Sequence, residues 1–395
     1  MSGWMMFRGP GFRQFFPLAT VFAAIAMVPW LALLAGWDLD FGSDEIPSAM
    51  RHGHEMLFGY VPAVIAGFLL TAVPNWTGTQ PLDGRPLLLL VVLWLAGRAS
   101  IWFGGDWPFL LVMLVDILFL PALLVAVATP LIRAKARRQL VIAIPILGLA
   151  AANLMTHLDF GGWFEGLAGP GLLLGADLIL FLIAVIGGRI VPAFTGNALK
   201  AAGETRLPTT PGWLDKSSLA LLAAAIIAEF AAPETLLSGS IIAVAAIAHA
   251  ARMAGWRTHR TLSSPILWVL HLGYAWVVIA LALKAAAHLG LGVEISVALH
   301  AITVGAVGTM TIAVMTRATL GHSGRPIVAG PSLTTAYILI TLAALFRVAG
   351  PAVMPDSSVL TLQFAAASWT LAYLIVAIVF WMILSTKLIK THDKS

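Results

Sequence analysis

Long apolar runs, separated by short polar stretches, fill this chain almost from end to end. A run of about 20 apolar residues is the length that an α-helix needs to cross the hydrocarbon core of a bilayer. The pattern predicts twelve such helices, with the seventh the shortest and weakest. They cover residues 15–36, 48–74, 87–103, 108–130, 139–157, 168–191, 217–232, 236–254, 264–289, 293–316, 332–350 and 358–386.

No polar segment long enough to form a soluble domain interrupts these runs. We therefore predict an all-α integral membrane protein with a single transmembrane domain over residues 1–395. The composition agrees, because 60% hydrophobic residues and a mean hydropathy of +0.94 exceed what a soluble core can bury. The chain has no cysteine, which excludes disulfides, iron–sulfur clusters and thiolate metal ligands.

The distribution of positive charge predicts the orientation of the chain in the membrane. With an even number of helices both termini lie on one side, and cytoplasmic loops are enriched in Lys and Arg. All but four of the 23 lysines and arginines fall on the side of the termini; the exceptions are Arg51, Arg98, Lys284 and Arg347. Both termini are therefore predicted to be cytoplasmic, and the net charge of +5 indicates orientation rather than nucleic-acid binding.

Short motifs recur along the chain at a regular spacing. The sequence "VPNWTG" (73–78) ends predicted helix two, and "VPAFTG" (191–196) ends predicted helix six. The sequences "DGRP" (83–86) and "SGRP" (323–326) follow predicted helices two and ten. Both spacings fit a period of about 120 residues, or three blocks of four helices. Chance recurrence of Pro and Gly turn residues explains them equally well.

Several predicted helices carry ionisable residues, which are costly in lipid and usually mark function. Counting about 1.5 Å per residue from the helix ends places six of them in one layer, on the side away from the termini. These six are His54, Arg98, Asp116, Asp177, Lys284 and His300. We regard Asp116 and Asp177 as candidates for proton transfer, and Glu55, beside His54, as a further catalytic candidate.

The buried histidines are candidate metal ligands, because neutral imidazole suits haem iron or copper where thiolates are absent. His54 and His300 lie at nearly the same depth, so we predict that they form one metal site. His52 is two residues from His54 and faces nearly the opposite side of the helix. It therefore binds a second metal, orients His54 or faces water.

His271 lies about 16 Å from the depth of His300, too far for one iron, which predicts a separate environment. His322 and Arg317 lie near the same end of their helix as His271, and Arg317 could pair with haem propionates. Other histidines, at helix ends or in loops, are predicted to have hydrogen-bonding roles. They are His157, His249, His259, His288 and His392.

Three segments together closely resemble the NnrS family: "RHGHEMLFGYVPAVIAGFLLTAVPNWTG" (51–78), "HLGYAW" (271–276) and "LHAITVGAVGTMTIAVMTRATLGHSGRP" (299–326). The resemblance implies a bacterial membrane protein that contains haem and copper and is linked to nitric-oxide metabolism and resistance. It carries these properties onto the motif positions His52, His54, Glu55, His271, His300, Arg317 and His322 without deciding which histidine binds which metal. Without a Cys-x-x-Cys-His motif, any haem would be b-type.

These observations leave three functions open. The first is a redox enzyme of the bacterial inner membrane that reduces nitric oxide with electrons from quinol or a periplasmic donor. The second is a protein that binds or senses nitric oxide without turnover. The third is a transporter whose buried charges line a substrate path, which predicts no haem spectrum.

Overall fold

The computed structural model describes residues 9–37, 39, 42 and 46–386, so His392 lies outside the described residues. Every regular element in this part of the chain is helical. In chain order the main helices are α1 (Phe12–Leu34), α2 (Ser48–Thr77), α3 (Arg85–Phe103), α4 (Phe109–Arg133), α5 (Arg137–Phe160), α6 (Ala168–Ala201), α7 (Gly212–Ala231), α8 (Leu236–Ala254), α9 (Pro265–His288), α10 (Ile295–His322), α11 (Pro331–Val348) and α12 (Pro355–Ser385).

Eleven of these helices, counted over the described residues, are long and apolar enough to cross a membrane. The predicted fold class, an all-α multi-pass membrane protein, is confirmed. The remaining helix is α7, which coincides with the weakest of the twelve predicted runs. It has 20 residues but carries Asp215, Lys216 and Glu229, and these charges separate it from the other eleven. The orientation of the termini stays a prediction.

Several long helices are locally irregular. Helix α1 consists of Phe12–Ile25 and Val28–Leu34, and α4 is interrupted at Leu118 between Phe109–Ile117 and Phe119–Arg133. Two helices contain π-helical segments, Glu55–Tyr60 in α2 and Ala301–Gly308 in α10. Each segment begins directly after a predicted ligand, His54 or His300. Such segments are rare and are often found at functional sites.

Helix α6 is ten residues longer than predicted, because Pro192 does not end it. The expectation that "VPAFTG" terminates this helix was wrong, and those residues lie inside α6. The related "VPNWTG" does end α2, where Gly78 takes a left-handed conformation with φ of 67°. In a sequence, a proline usually predicts the end of a helix, because it has no N–H to donate to the preceding turn. In a membrane protein, neighbouring helices can satisfy the carbonyl group that is left without a donor, so the helix can continue.

The helices group into two compact units. Unit 1 contains the residues up to Gly175, together with Ala318–Pro326 and the chain from Tyr373 onward. Unit 2 contains Ala176–Arg317 and Ile327–Ala372. Each unit has its own group of buried charged side chains. The six ionisable residues that the sequence assigned to one layer are divided between the two units, three in each.

Candidate metal centre

Helices α2, α3, α4 and α5 of unit 1 bring six polar side chains together in the core. We call this group the His54 cluster; its members are His54, Glu55, Arg98, Asp116, Asn153 and His157. The π-helical segment that starts at Glu55 changes the direction of the following side chains relative to a regular α-helix. The indole Nε1 of Trp94 donates a hydrogen bond of 2.8 Å to the carbonyl of Gly59 in this segment.

Asp116, on α4, lies at the centre of the cluster and accepts hydrogen bonds on both carboxylate oxygens. Its Oδ1 pairs with the guanidinium of Arg98. Its Oδ2 accepts from Asn153 Nδ2 at 2.9 Å and from His157 Nε2 at 2.8 Å. The Nε2 atom of His54 lies 3.4 Å from the same Oδ2. Two imidazoles therefore converge on one carboxylate oxygen.

The guanidinium of Arg98 also pairs with Glu55, so one permanent cation bridges the two carboxylates of the cluster. The other oxygen of Glu55 accepts a hydrogen bond of 2.6 Å from Trp102 Nε1. Small residues allow this close approach: a Cβ at Gly59 would meet the Arg98 guanidinium, and one at Gly97 would meet Asp116. Both glycines are therefore required by packing around the charges.

His54, Asp116 and His157 form a group whose donor atoms all lie within 4.8 Å of one another. All three residues are buried, with 0%, 2% and 0% of their surface exposed. Two imidazole nitrogens and a carboxylate oxygen suit copper, zinc or ferrous iron. His157 Nδ1 is buried and has no hydrogen-bond partner among the described residues. The arrangement is therefore a buried His/Asp triad that could hold a metal ion.

A family model, the NnrS protein, matches residues 6–387. The chain belongs to the NnrS family. A comparison with curated proteins gave no match. The family assignment rests on nearly the whole length of the chain, so the resemblance seen in three segments of the sequence is confirmed. This NnrS-family protein is thus a multi-pass membrane protein with a buried triad of potential metal ligands.

The predicted partner of His54, His300, belongs to unit 2. Its Nδ1 donates a hydrogen bond of 2.7 Å to the Ser296 carbonyl one turn earlier in α10. His52 lies in unit 1, where its ring stacks on Trp30 with centroids 4.9 Å apart. The pairing of His54 with His300 in one metal site stays a prediction. The potential metal ligands that the structure places beside His54 are Asp116 and His157.

His271 of this NnrS-family protein is held by two hydroxyl groups of unit 2. Thr195 Oγ1 donates to the carbonyl of Val191 and accepts from His271 Nε2 at 2.8 Å. Thr258 Oγ1 is hydrogen-bonded to His271 Nδ1 at 2.9 Å. Both ring nitrogens are therefore engaged by hydroxyl groups. The separate metal environment predicted for His271 stays a prediction.

Arg317 and His322 both follow the π-helical segment of α10 but have different neighbours. The guanidinium carbon of Arg317 lies 3.9 Å from the centre of the Phe194 ring, a cation–π contact within unit 2. The ring of His322, in unit 1, packs against Phe12 with centroids 5.5 Å apart. Their predicted role as haem contacts stays a prediction.

Asp177, the second proton-transfer candidate, lies in a buried group of unit 2. We call this group the Lys284 cluster; its members are Asp177, Glu229, Lys284 and His288. The ammonium of Lys284 donates to Asp177 Oδ1 and to Glu229 Oε2, each at 2.5 Å. Asp116 and Asp177, grouped together by depth in the sequence, therefore belong to two different clusters.

Two members of the His54 cluster, His157 and Asn153, are not among the site residues that the sequence predicts. The sequence places His157 at a helix end with a hydrogen-bonding role, and Asn153 is an isolated amide in an apolar run. The two are four residues apart on α5, so they share one face of that helix. A polar pair at this spacing within an apolar helix is the signal that could identify them. His157 does lie near the end of α5, but the end is buried at this point.

Proposed function

We propose that this chain binds a metal ion through His54, Asp116 and His157 and uses it to bind nitric oxide. The observation that carries the proposal is the convergence of two buried imidazoles on one carboxylate oxygen. Nitric oxide is small, uncharged and soluble in lipid, so it can reach a buried site without a polar pore. Membership of the NnrS family supports nitric oxide as the ligand.

The charges of the His54 cluster favour copper. Glu55 and Asp116 contribute two negative charges, and Arg98 contributes one positive charge. Both nitrogens of His54 face acceptors, Glu55 Oε1 at 3.1 Å and Asn153 Oδ1 at 2.9 Å, so the ring carries a second proton and the cluster is neutral. The His54 and His157 imidazoles would hold a cuprous ion in place of this proton with no change in net charge, and imidazole is a suitable copper ligand. When bound, copper would supply an open coordination position and a one-electron redox couple.

The surrounding side chains have distinct roles in this proposal. Asn153 positions Asp116, to which its Nδ2 donates, and without a metal its Oδ1 also accepts from His54 Nε2. Arg98 compensates the carboxylate charge, which would otherwise be prohibitive in an apolar interior. Glu55 is hydrogen-bonded to His54 Nδ1 and can accept its proton, which is the catalytic role that we assign to it.

Haem b, which the resemblance also implies, has less support from the contacts of the predicted ligands. An iron at His271 would have to displace a threonine hydroxyl from one of the ring nitrogens. The small residues Gly305 and Gly308 leave no space for a macrocycle, since a Cβ at these positions would meet the indole rings of Trp276 and Trp369. These residues do not fit a porphyrin in the described arrangement, and no step of the proposal involves haem.

Turnover would require an electron donor, and we propose quinol or a periplasmic redox protein in a bacterial inner membrane. Purified protein in lipid nanodiscs distinguishes the candidate functions when nitric-oxide consumption is followed with and without a reductant. Consumption that depends on the reductant indicates a reductase. Stoichiometric binding without consumption indicates a binder or sensor. If the protein neither binds nor consumes nitric oxide, the nitric-oxide proposal is contradicted and a transporter is favoured.

The metal assignment is tested by elemental analysis and the visible absorption spectrum of the same preparation. We expect about one copper per chain, and at least about a tenfold loss of metal affinity in His157→Ala. The matched control is His259→Ala, which removes an exposed histidine and should retain the metal. Copper that stays at the wild-type level in both variants would overturn the triad. A haem spectrum that His54→Ala or His300→Ala abolishes would instead support iron at those histidines.

A further inference from the structure

The Lys284 cluster is buried in unit 2, and the metal proposal does not use it. Its side chains come from three helices: Asp177 from α6, Glu229 from α7, and Lys284 with His288 from α9. Asp177, Glu229 and Lys284 are 5%, 7% and 2% exposed. Four titratable groups are thus held in direct contact within the apolar part of the protein.

The hydrogen bonds of His288 fix its protonation. The backbone N–H of Glu234 donates to His288 Nδ1 at 3.1 Å, so that nitrogen must be an acceptor. His288 Nε2 therefore carries the only ring proton and donates it to Glu229 Oε1 at 3.0 Å. The imidazole is neutral and contributes no charge. Its role is to orient the carboxyl group of Glu229.

The remaining charges do not balance. Two carboxylates face a single ammonium, which leaves one negative charge in a region where an uncompensated charge is very costly. The ammonium of Lys284 lies 2.5 Å from an oxygen of each carboxyl group, which holds the two groups close together. Two neighbouring carboxylates favour the uptake of a proton, because like charges at short distance are costly in an apolar interior.

The geometry points to a proton-binding site in which Asp177 and Glu229 share one exchangeable proton, bridged by the ammonium of Lys284. A metal cation is not the expected ligand, because Lys284 Nζ already lies between the two carboxyl groups. Uptake adds one proton from water to the carboxyl pair, and release returns it. Glu229 lies two residues before the end of α7, beside the loop that contains Glu234, so exchange occurs on that side.

No other charged side chain among the described residues forms an ion pair with these four groups. Besides one another, their side chains make hydrogen bonds to Ser238 Oγ, on α8, and to the backbone of Glu234. The Glu234 side chain itself is exposed. The proton is therefore assigned to the Asp177–Glu229 pair rather than to a wider network. The site is independent of the proposed metal ligands and of nitric oxide.

The test is infrared spectroscopy of the full chain in lipid nanodiscs, recorded as a difference between pH values from about 4 to 10. We expect wild-type protein to show the C=O stretch of a protonated, buried carboxyl that disappears when the pH is raised. Asp177→Asn should abolish this band, because Lys284 and Glu229 alone are neutral and need no extra proton. Asp116→Asn and the exposed control Asp356→Asn should retain it.

The wild-type measurement alone can overturn the proposal, because absence of a titrating band contradicts a shared proton whether or not any variant folds. Labelling aspartate and glutamate with ¹³C in the wild-type chain checks that the band belongs to a carboxyl side chain. A band that survives in both Asp177→Asn and Glu229→Gln would assign the proton elsewhere and reject the site. A band lost only in Asp116→Asn would move it to the His54 cluster.

Discussion

The His54 cluster of unit 1 and the Lys284 cluster of unit 2 both carry an excess of buried negative charge, and the side chains around that charge differ. Each contains two buried carboxyl groups and one basic side chain, Arg98 or Lys284. Each is therefore left with one negative charge that must be compensated. Burial makes that compensation necessary, because an unpaired charge in an apolar interior is costly.

The two clusters differ in the number and direction of their imidazole rings. In the His54 cluster two rings converge on Asp116 Oδ2, so a metal ion can replace a proton. In the Lys284 cluster a single ring lies at the edge and is kept neutral by a backbone N–H, so only a proton can compensate the charge. In these two proposals, ring geometry distinguishes the metal site from the proton site, since the net charge of the carboxyl groups and the base is the same in both.

The largest effect is expected from removal of the basic side chain of each cluster. Arg98→Met and Lys284→Met each remove one positive charge from beside two buried carboxyl groups and should destabilise the protein by about 3–5 kcal/mol. Thermal unfolding in detergent measures this loss. Adding Asp177→Asn to Lys284→Met restores the wild-type net charge and should recover much of the stability. Unchanged unfolding of either single variant would contradict the charge comparison.

A smaller effect should follow when Glu55 loses its indole donor. Trp102→Phe removes the 2.6 Å hydrogen bond to Glu55 Oε2, and a bond to a charged group contributes about 1.5–3 kcal/mol. The matched control is Trp94→Phe, which removes a bond to the neutral Gly59 carbonyl and should cost about 0.5–1.5 kcal/mol. Equal losses in chemical denaturation would indicate that Glu55 is not charged in the folded protein.

Asn153→Ala tests whether the His54 cluster, and not the Lys284 cluster, binds the metal ion. The variant keeps all three members of the triad but removes the amide that donates to Asp116 Oδ2. Metal affinity should fall about 10–100-fold, as is usual when a group that orients ligands is lost. Titration against a competing chelator measures the change. Ser238→Ala, beside His288, is the control in the other cluster and should leave metal affinity unaltered.

The smallest effect is expected at the loop beside Glu229. Thr235 caps α8, because its hydroxyl accepts from the backbone of Ser238 while the Ser238 hydroxyl accepts from the backbone of Thr235. Thr235→Ala should therefore cost about 1 kcal/mol in unfolding free energy. The titrating carboxyl band should remain, since the cap does not contact Asp177. Loss of the band in this variant would show that the loop conformation controls the shared proton.

Much of the fold followed from sequence because the bilayer imposes a simple length and polarity rule on each helix. Eleven predicted helices match apolar helices of sufficient length, and the weakest prediction, α7, is the one whose charges set it apart. Helix ends were less certain, as the continuation of α6 through Pro192 illustrates. The family was also predictable, because its motifs are continuous segments of the chain and do not depend on helix packing.

The sequence by itself determined which residues are unusual: His54, Asp116 and Asp177 are polar groups inside apolar helices, and this cost marks them whatever the fold. Only the tertiary structure decided their partners. The sequence gives the position of a residue along its helix axis. A metal site or an ion pair also depends on the rotation of each helix about that axis and on which helices are neighbours. That is why Asp116 meets His157, while Asp177 meets Lys284.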